Sequence, residues 1–354
     1  MTRVYVGMSG GVDSSLTAAL LLEQGYEVTG VYMKNWTQDL PGMKCPWADD
    51  LADAKRVAVQ LGIDFKVFDF ENEYKHKVVD YMIEEYKNGR TPNPDIMCNQ
   101  EVKFKLFLDA SLEDGADMIA TGHYARVEHN ILKQAVDTNK DQTYFLYRVT
   151  GEALGKTLFP LGEFTKPMVR EMAKERGLYT AGKKDSQGIC FVGKVGIRDF
   201  LSLYVEQKPG EIIDKKSNKV LGHHDGAIFY TLGQRHGLEL GGGLPYYVVG
   251  KDMGKNEVYV TTDLNDGSLW KNTVELTNIH WINNVPVEGE YSIRVRHRAP
   301  LIKAHLRYEN GNVTLRLVNP ERAVAAGQSV VIYDGDVCLG GGIVIQIVIL
   351  VPDW

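Results

Sequence analysis

The chain has 354 residues, 44% hydrophobic and 24% charged, which suits a globular protein too long for one ordinary core and predicts two or three domains. A net charge of −6 argues on bulk grounds against a nucleic-acid partner, and four cysteines (Cys45, Cys98, Cys190, Cys338) with no Cys-x-x-Cys pair indicate neither a zinc ribbon nor a disulfide framework. Arg3 runs at once into an apolar strand, which leaves no room for a signal peptide, and the apolar run Ile343 to Val351 is too short to span a bilayer, so a cytoplasmic chain with no membrane contact is expected.

The strand Val4 to Met8 feeds Ser9-Gly10-Gly11-Val12-Asp13-Ser14-Ser15 and then a helix with apolar positions Leu16, Ala19, Leu20 and Leu22, ended by Gly25. Gly10 and Gly11 let successive N–H groups converge, and the helix start adds partial positive charge at the same point, so this turn is an anion site. No lysine follows the glycines as a nucleoside-triphosphatase P-loop requires, which argues against γ-phosphoryl transfer. The stretch resembles the Ser-Gly-Gly-x-Asp-Ser pyrophosphate loop of enzymes that cleave ATP between its α and β phosphates and leave AMP on a carbonyl oxygen. Five fixed residues at ordinary frequencies match by chance on the order of once per million positions, so a mere glycine turn is the poorer reading.

A second strand, Val28 to Met33, leads through Cys45-Pro46-Trp47 to a helix starting near Asp49, with Leu51, Ala54, Val57, Ala58 and Leu61 on one face and Gly62 closing it. A third strand, Phe65 to Phe70, and a helix through Val78, Tyr81 and Met82 follow. Alternating strands and helices predict a parallel sheet with ligands at the strands' carboxyl ends. The two prolines of Gly89 to Asn99 stiffen a loop, and Asn99 is expected to cap the next helix, with Cys98 just ahead of its N-terminus and Asp95 near enough to exchange protons. Taken alone, Cys98 is equally well read as a small buried hydrophobe. A fourth strand, Met118 to Ala120, runs into Thr121-Gly122-His123-Tyr124, and Lys140-Asp141-Gln142 sits in a polar turn.

A helix from Thr165 to Arg176, capped by Thr165 and ended by Gly177, precedes Lys183 to Phe191, a basic loop whose lysines favour a thiolate at Cys190. From Thr165 to Arg198 eight Lys/Arg face three acids, and from Tyr291 to Arg307 five face none, so two basic islands offer a docking place for a polyanion. Beyond Pro209-Gly210 the texture is short strands: Glu211 to Asp214, Ala227 to Leu232, Tyr246 to Val249 and Glu257 to Val260. Adjacent strand residues point to opposite faces, so His223-His224-Asp225 reads as surface residues and no metal site is expected. In the last segment Asn310-Gly311 and Asp334-Gly335 predict tight hairpins, and Arg294, Arg296 and Arg298, then Lys303, His305 and Arg307, predict a basic stripe over an apolar face.

In their order, the pyrophosphate loop, Asn93 to Asn99, Thr121 to Tyr124, Lys140 to Gln142, Lys183 to Phe191 and Cys338 to Gly342 resemble the bacterial tRNA-specific 2-thiouridylases along nearly the whole chain. The resemblance implies an α/β fold: a parallel-sheet pyrophosphate-loop domain (1–207, adenine nucleotide α-hydrolase-like), a small central β domain (208–268) and a C-terminal β-barrel that binds tRNA (269–354). It implies ATP-dependent 2-thiolation of the wobble uridine of lysine, glutamate and glutamine tRNAs, with Mg²⁺ accompanying ATP and a cysteine desulfurase or sulfur carrier as donor. By the same resemblance Gly7, Met8, Ser9, Gly10, Gly11, Val12, Asp13, Ser14, Met33 and Gly122 match ATP-contacting positions, and Asn93, Pro94 and Asp95 match contacts to the target base. Cys98 matches the nucleophile, Cys190 the persulfide carrier, and Asp95 is the candidate to move protons. His123, Lys140, Asp141, Gln142, Arg296, His297 and Gln328 match tRNA contacts, with His297 where the family usually has tyrosine and Gln187 where it often has threonine.

Two other classes fit parts of the pattern. An amide-forming adenylating synthetase shares the loop but has no use for two activated thiols, and a non-catalytic RNA-binding protein would retain the loop without tRNA-dependent ATP–pyrophosphate exchange.

Overall fold

The computed structural model describes residues 1–39, 45–184, 196–241, 243–309 and 311–345. Cys190 and most of its loop, and the end of the chain beyond Ile345, lie outside the described residues.

Five parallel strands form the first sheet in the order β3-β2-β1-β4-β7: β1 (Arg3–Gly7), β2 (Glu27–Lys34), β3 (Asp64–Asp69), β4 (Met118–Ala120) and β7 (Thr157–Leu158). The order reverses direction between β1 and β4, the switch point where a crevice opens at the carboxyl ends. One face of the sheet is covered by α1 (Val12–Glu23) and α2 (Trp47–Leu61), which bury Ala18, Leu21, Ala54 and Val57 against Val4, Val6 and Val28. Leu22, expected in this stripe, is exposed, and Leu21 is the buried neighbour. The other face packs Tyr5, Val31 and Ile119 against Val78, Met82, Val102 and Phe107.

The helix behind that second face departs from expectation at its start. It begins at Pro94, not after Asn99: the Asn93 side chain accepts from the backbone N–H of Asp95 (3.1 Å) and Ile96 (3.4 Å), with proline at the first helical position. Cys98 therefore lies one turn inside, where the backbone turns π-helical through Leu106. Asn99 is buried and donates from Nδ2 to the carbonyl of Phe145 (3.2 Å), so it anchors a neighbour and caps nothing. Thr165 occupies the N-cap position of Lys166–Glu175 without a side-chain cap bond, and Asp137 accepts from the Lys166 N–H instead (2.9 Å).

A hairpin, β5 (Ala125–Glu128) and β6 (Ile131–Gln134), leaves the parallel sheet and joins the C-terminal one through Lys133 and Val337. The central domain is a four-stranded sheet ordered β10-β11-β8-β9: β8 (Gly210–Asp214), β9 (Val220–His224), β10 (Tyr247–Asp252) and β11 (Glu257–Thr261). The strand expected at Ala227 to Leu232 is a short 3-10 turn over Ala227–Phe229, fixed by the Asn256 side chain accepting from the Ala227 N–H (2.9 Å). His224, expected at the surface, is buried, its Nδ1 accepting from the Gly226 N–H (2.9 Å).

Six antiparallel strands close the C-terminal barrel: β12 (Trp270–Trp281), β13 (Gly289–Arg294), β14 (Ile302–Glu309), β15 (Asn312–Arg322), β16 (Ser329–Asp334) and β17 (Val337–Val344), with β12 pairing to both β15 and β17. Both hairpins, β14–β15 and β16–β17, are present. The basic stripe holds in β14, where Lys303, His305 and Arg307 are exposed and Ala304 and Leu306 buried, but Glu290 on β13 lies 3.6 Å from Lys303 and 3.9 Å from His305. In β13 it fails: the strand ends at Arg294, which turns inward beside buried Ile293 and Val295. Its guanidinium is 2.9 Å from Asp141, which follows the β5–β6 hairpin, and that ion pair, not solvent, set its direction.

Candidate active site

β1 delivers Gly7 to the turn, and Gly10 takes a φ of +71° with its α-carbon so close to α2 that a Cβ would lie 2.3 Å from the Asp50 carbonyl oxygen. Only glycine serves there. Gly11 is the N-cap of α1 and supplies no side-chain acceptor, so the first-turn N–H groups have no side-chain cap. Ser9 and Ser14 brace the turn: the Ser9 N–H donates to Ser14 Oγ (3.2 Å), and Ser14 Oγ donates to the Gly11 carbonyl (3.2 Å). The result is a rigid, uncapped helix start at the switch point, which fits a polyphosphate.

From β4, Gly122 closes on the same turn, where a Cβ would sit 2.9 Å from the carbonyl carbon of Asp13 and the nitrogen of Ser14. Met33, at the end of β2, reaches over Gly7, where a Cβ would meet its Cε at 2.9 Å. The positions matched to ATP contacts on three separate strands are thus brought together.

His123 links this corner to the cysteine-bearing helix. Its ring packs 5.6 Å from Phe104 and 6.0 Å from Phe159, and its Nδ1 lies 2.7 Å from Thr121 Oγ1. Burial, aided by the charge of Lys103, holds the imidazole well below its ordinary pKa, so it is neutral at pH 7. His123, matched to a tRNA contact, is 8% exposed in this structure and packs inward, where it seats the helix that carries Cys98.

On that helix Asp95 is half-buried and Cys98 buried, one turn apart. Burial pushes the Asp95 carboxyl above the usual carboxylate range, against the pull of Lys103. A carboxyl poised upward is suited to take and return a proton. Pro94 is buried and the Asn93 side chain is engaged as the cap.

The positions matched to tRNA divide. Asp141 is 1% exposed and accepts from Arg294 Nη1 (2.9 Å), Thr143 Oγ1 (2.8 Å) and the Ala135 N–H (3.1 Å), so in this structure it ties the first domain to the barrel. Gln142 accepts from the Tyr124 N–H (2.9 Å), and Arg296 donates to Glu321 (2.9 Å) and the Arg322 carbonyl (3.1 Å). His297 packs against Phe145 with ring centres 4.4 Å apart and the planes tilted by 41°, and burial drives its pKa down to about 4. Gln328 is half-buried on the turn entering β16. Lys140 lines an open cleft of about 330 Å³ with Thr138, Asn139, Arg294 and exposed Arg298, a residue the sequence reading had placed only in the stripe.

The first basic island is largely spent inside the chain. Lys183 reaches Asp50 and Asp53 (both 2.7 Å), Arg176 pairs with Glu23 (2.7 Å), Lys166 with Asp13 (2.7 Å), and Arg198 with Asp225. Acids distant in sequence supply these partners, so the local charge count could not show them. The sequence reading also missed Asn93 as cap, although Asn-Pro before an apolar turn is a cap signal.

Among the described residues no group of three or more metal-ligating side chains is present, and no helix is long and apolar enough to cross a membrane.

Residues 2–194 match the family described as the tRNA methyl transferase HUP domain, 198–262 the tRNA methyl transferase PRC-barrel domain, and 271–344 the aminomethyltransferase beta-barrel domain. A protein from Bacillus thuringiensis (strain Al Hakam), named tRNA-specific 2-thiouridylase MnmA, is 47% identical over 98% of this chain and 95% of its own length. The protein of the same name from Bacillus cytotoxicus matches with the same identity and coverage. A 4-thiouridine synthetase solved with RNA and bound ATP aligns over 57% of this chain and 50% of its own, at 18% identity and a TM-score of 0.37.

Proposed function

Because the chain belongs to the bacterial tRNA-specific 2-thiouridylase family, we propose that it thiolates the 2-position of the wobble uridine in lysine, glutamate and glutamine tRNAs, using ATP with Mg²⁺ and a persulfide delivered by a cysteine desulfurase or sulfur carrier. The observation that carries this reading is the junction of Gly122 and His123: one residue abuts the uncapped anion turn, and its neighbour seats the helix bearing Asp95 and Cys98.

The uracil 2-oxygen is a very poor leaving group, and adenylation makes it the oxygen of AMP. Ser9 to Ser14 would cradle the phosphates, with Met33 and Gly122 at the nucleotide's edge. The turn capped by Asn93 would present Asp95 to the base, where its raised pKa suits proton transfer. The outer sulfur of a persulfide on Cys190 attacks the activated carbon and AMP departs with the oxygen. The Cys98 thiolate attacks the Cys190 sulfur and breaks the S–S bond, leaving the sulfur on uridine and a Cys98–Cys190 disulfide. If Cys98 acts first, sulfide is the attacking species and the same disulfide results. A thiol reductant supplies two electrons to reset the pair.

Thiolation of tRNA by the Cys98→Ser and Cys190→Ser proteins tests this. Each is expected to lose product while keeping tRNA-dependent ATP–pyrophosphate exchange. Product retained by both would remove the two-cysteine sulfur mechanism, whereas exchange without thiolation in the wild type would favour an amide-forming adenylating enzyme. Exchange absent from the wild type would leave only an RNA-binding protein.

A further inference from the structure

The pyrophosphate loop carries a carboxylate where a polyanion must sit. Asp13 lies in the first turn of α1, and a carboxylate at a helix N-terminus is itself attracted to the N–H groups a phosphate would use. The structure supplies a counter-charge from 153 residues away: Lys166 Nζ lies 2.7 and 2.8 Å from the two Asp13 oxygens. The Lys166 side chain is 9% exposed, and its ammonium lies 5.7 Å from the centre of the Tyr124 ring. The Tyr124 hydroxyl donates to Asp13 Oδ1 (2.9 Å). A buried ammonium is costly unless paired, so this lysine is held in place by the carboxylate it neutralises. Its backbone is fixed as well, since Asp137 accepts from its N–H (2.9 Å) and proline follows it.

We infer that Lys166 is a positioning residue for ATP: with Tyr124 it cancels the Asp13 charge and pins that carboxylate aside, so the phosphates meet the helix N–H groups without a competing anion. The inference rests on the ATP reading above. It also explains how a loop without a lysine of its own tolerates an aspartate at this point: the lysine comes from the start of another helix. Gly122 and Tyr124 belong to the same segment after β4, so one stretch of chain supplies both the residue that approaches the loop backbone and the residue that shares Asp13.

The test uses the full chain. Binding of α,β-methylene ATP with Mg²⁺ is measured by calorimetry, and KM for ATP and kcat are measured in tRNA thiolation. Lys166→Met is expected to raise both Kd and KM by about tenfold or more with kcat little changed, because the loss is in ground-state binding. Lys166→Arg keeps the charge and is expected to stay within about threefold of wild type. In Lys166→Met with Asp13→Asn the stranded charge is gone, and most of the lost affinity should return. Unchanged binding in Lys166→Met overturns the inference while leaving the ATP reading intact. Failure of the double variant to recover overturns it too, since Lys166 would then touch the phosphates directly. A wild-type protein that does not bind the analogue overturns the ATP reading itself, and the inference with it.

Discussion

The Asp141–Arg294 pair should behave asymmetrically on mutation. Both side chains are buried, at 0% and 7% exposed, and the 2.9 Å contact joins the catalytic domain to the barrel. Breaking a buried pair by removing one partner costs about 3–5 kcal/mol. Arg294→Met leaves the carboxylate with the Thr143 hydroxyl and the Ala135 N–H still donating, so its cost belongs near the lower bound, about 3 kcal/mol. Asp141→Ala leaves a guanidinium whose Nε already has no partner, over the Tyr333 ring at 5.6 Å and beside Lys140 and Arg298 in the same cleft, so about 5 kcal/mol is expected. Asp141→Asn combined with Arg294→Met removes both charges and should cost less than either single change predicts by addition. Urea denaturation at pH 7.5 with linear extrapolation gives the three values. If Asp141→Ala is no costlier than Arg294→Met, or if either costs under about 1 kcal/mol, the pair does not hold the domains as described.

Other outcomes follow from single sites. Gly10→Ala must bear a φ of +71° and a Cβ 2.3 Å from the Asp50 oxygen, so it should lose more than about 2 kcal/mol of stability and lose ATP binding, read by denaturation and calorimetry. Asp95 has its pKa raised in the folded state, so its charge opposes folding once pH exceeds the unfolded value; Asp95→Asn should raise stability at pH 7 yet cut thiolation by about a hundredfold or more and abolish the acidic limb of its pH profile. His297 has its folded pKa depressed to about 4, so its contribution to stability is complete above its ordinary pKa and is lost as pH falls toward 4; His297→Phe should keep the Phe145 contact and make the protein less acid-labile in thermal melts. Arg298→Ala should flatten the salt dependence of tRNA binding by about one unit, and Arg296→Ala, whose guanidinium is already paired to Glu321, should flatten it less.

The sequence by itself determined what depends on local backbone chemistry. The uncapped glycine turn after β1, the parallel alternation of strands and helices, and the Asn310-Gly311 and Asp334-Gly335 hairpins all follow from residue type and spacing within a few positions. The order of motifs along the chain also carried the family. What tertiary structure decided is where each charge finds its partner. Arg294, Lys166 and Lys183 read as solvated or phosphate-facing cations in one dimension. Folded, they answer Asp141, Asp13, Asp50 and Asp53, which lie more than a hundred residues away. Coulombic attraction and the cost of desolvation act through space and are blind to sequence separation, so the fold alone settles which ions remain for a ligand.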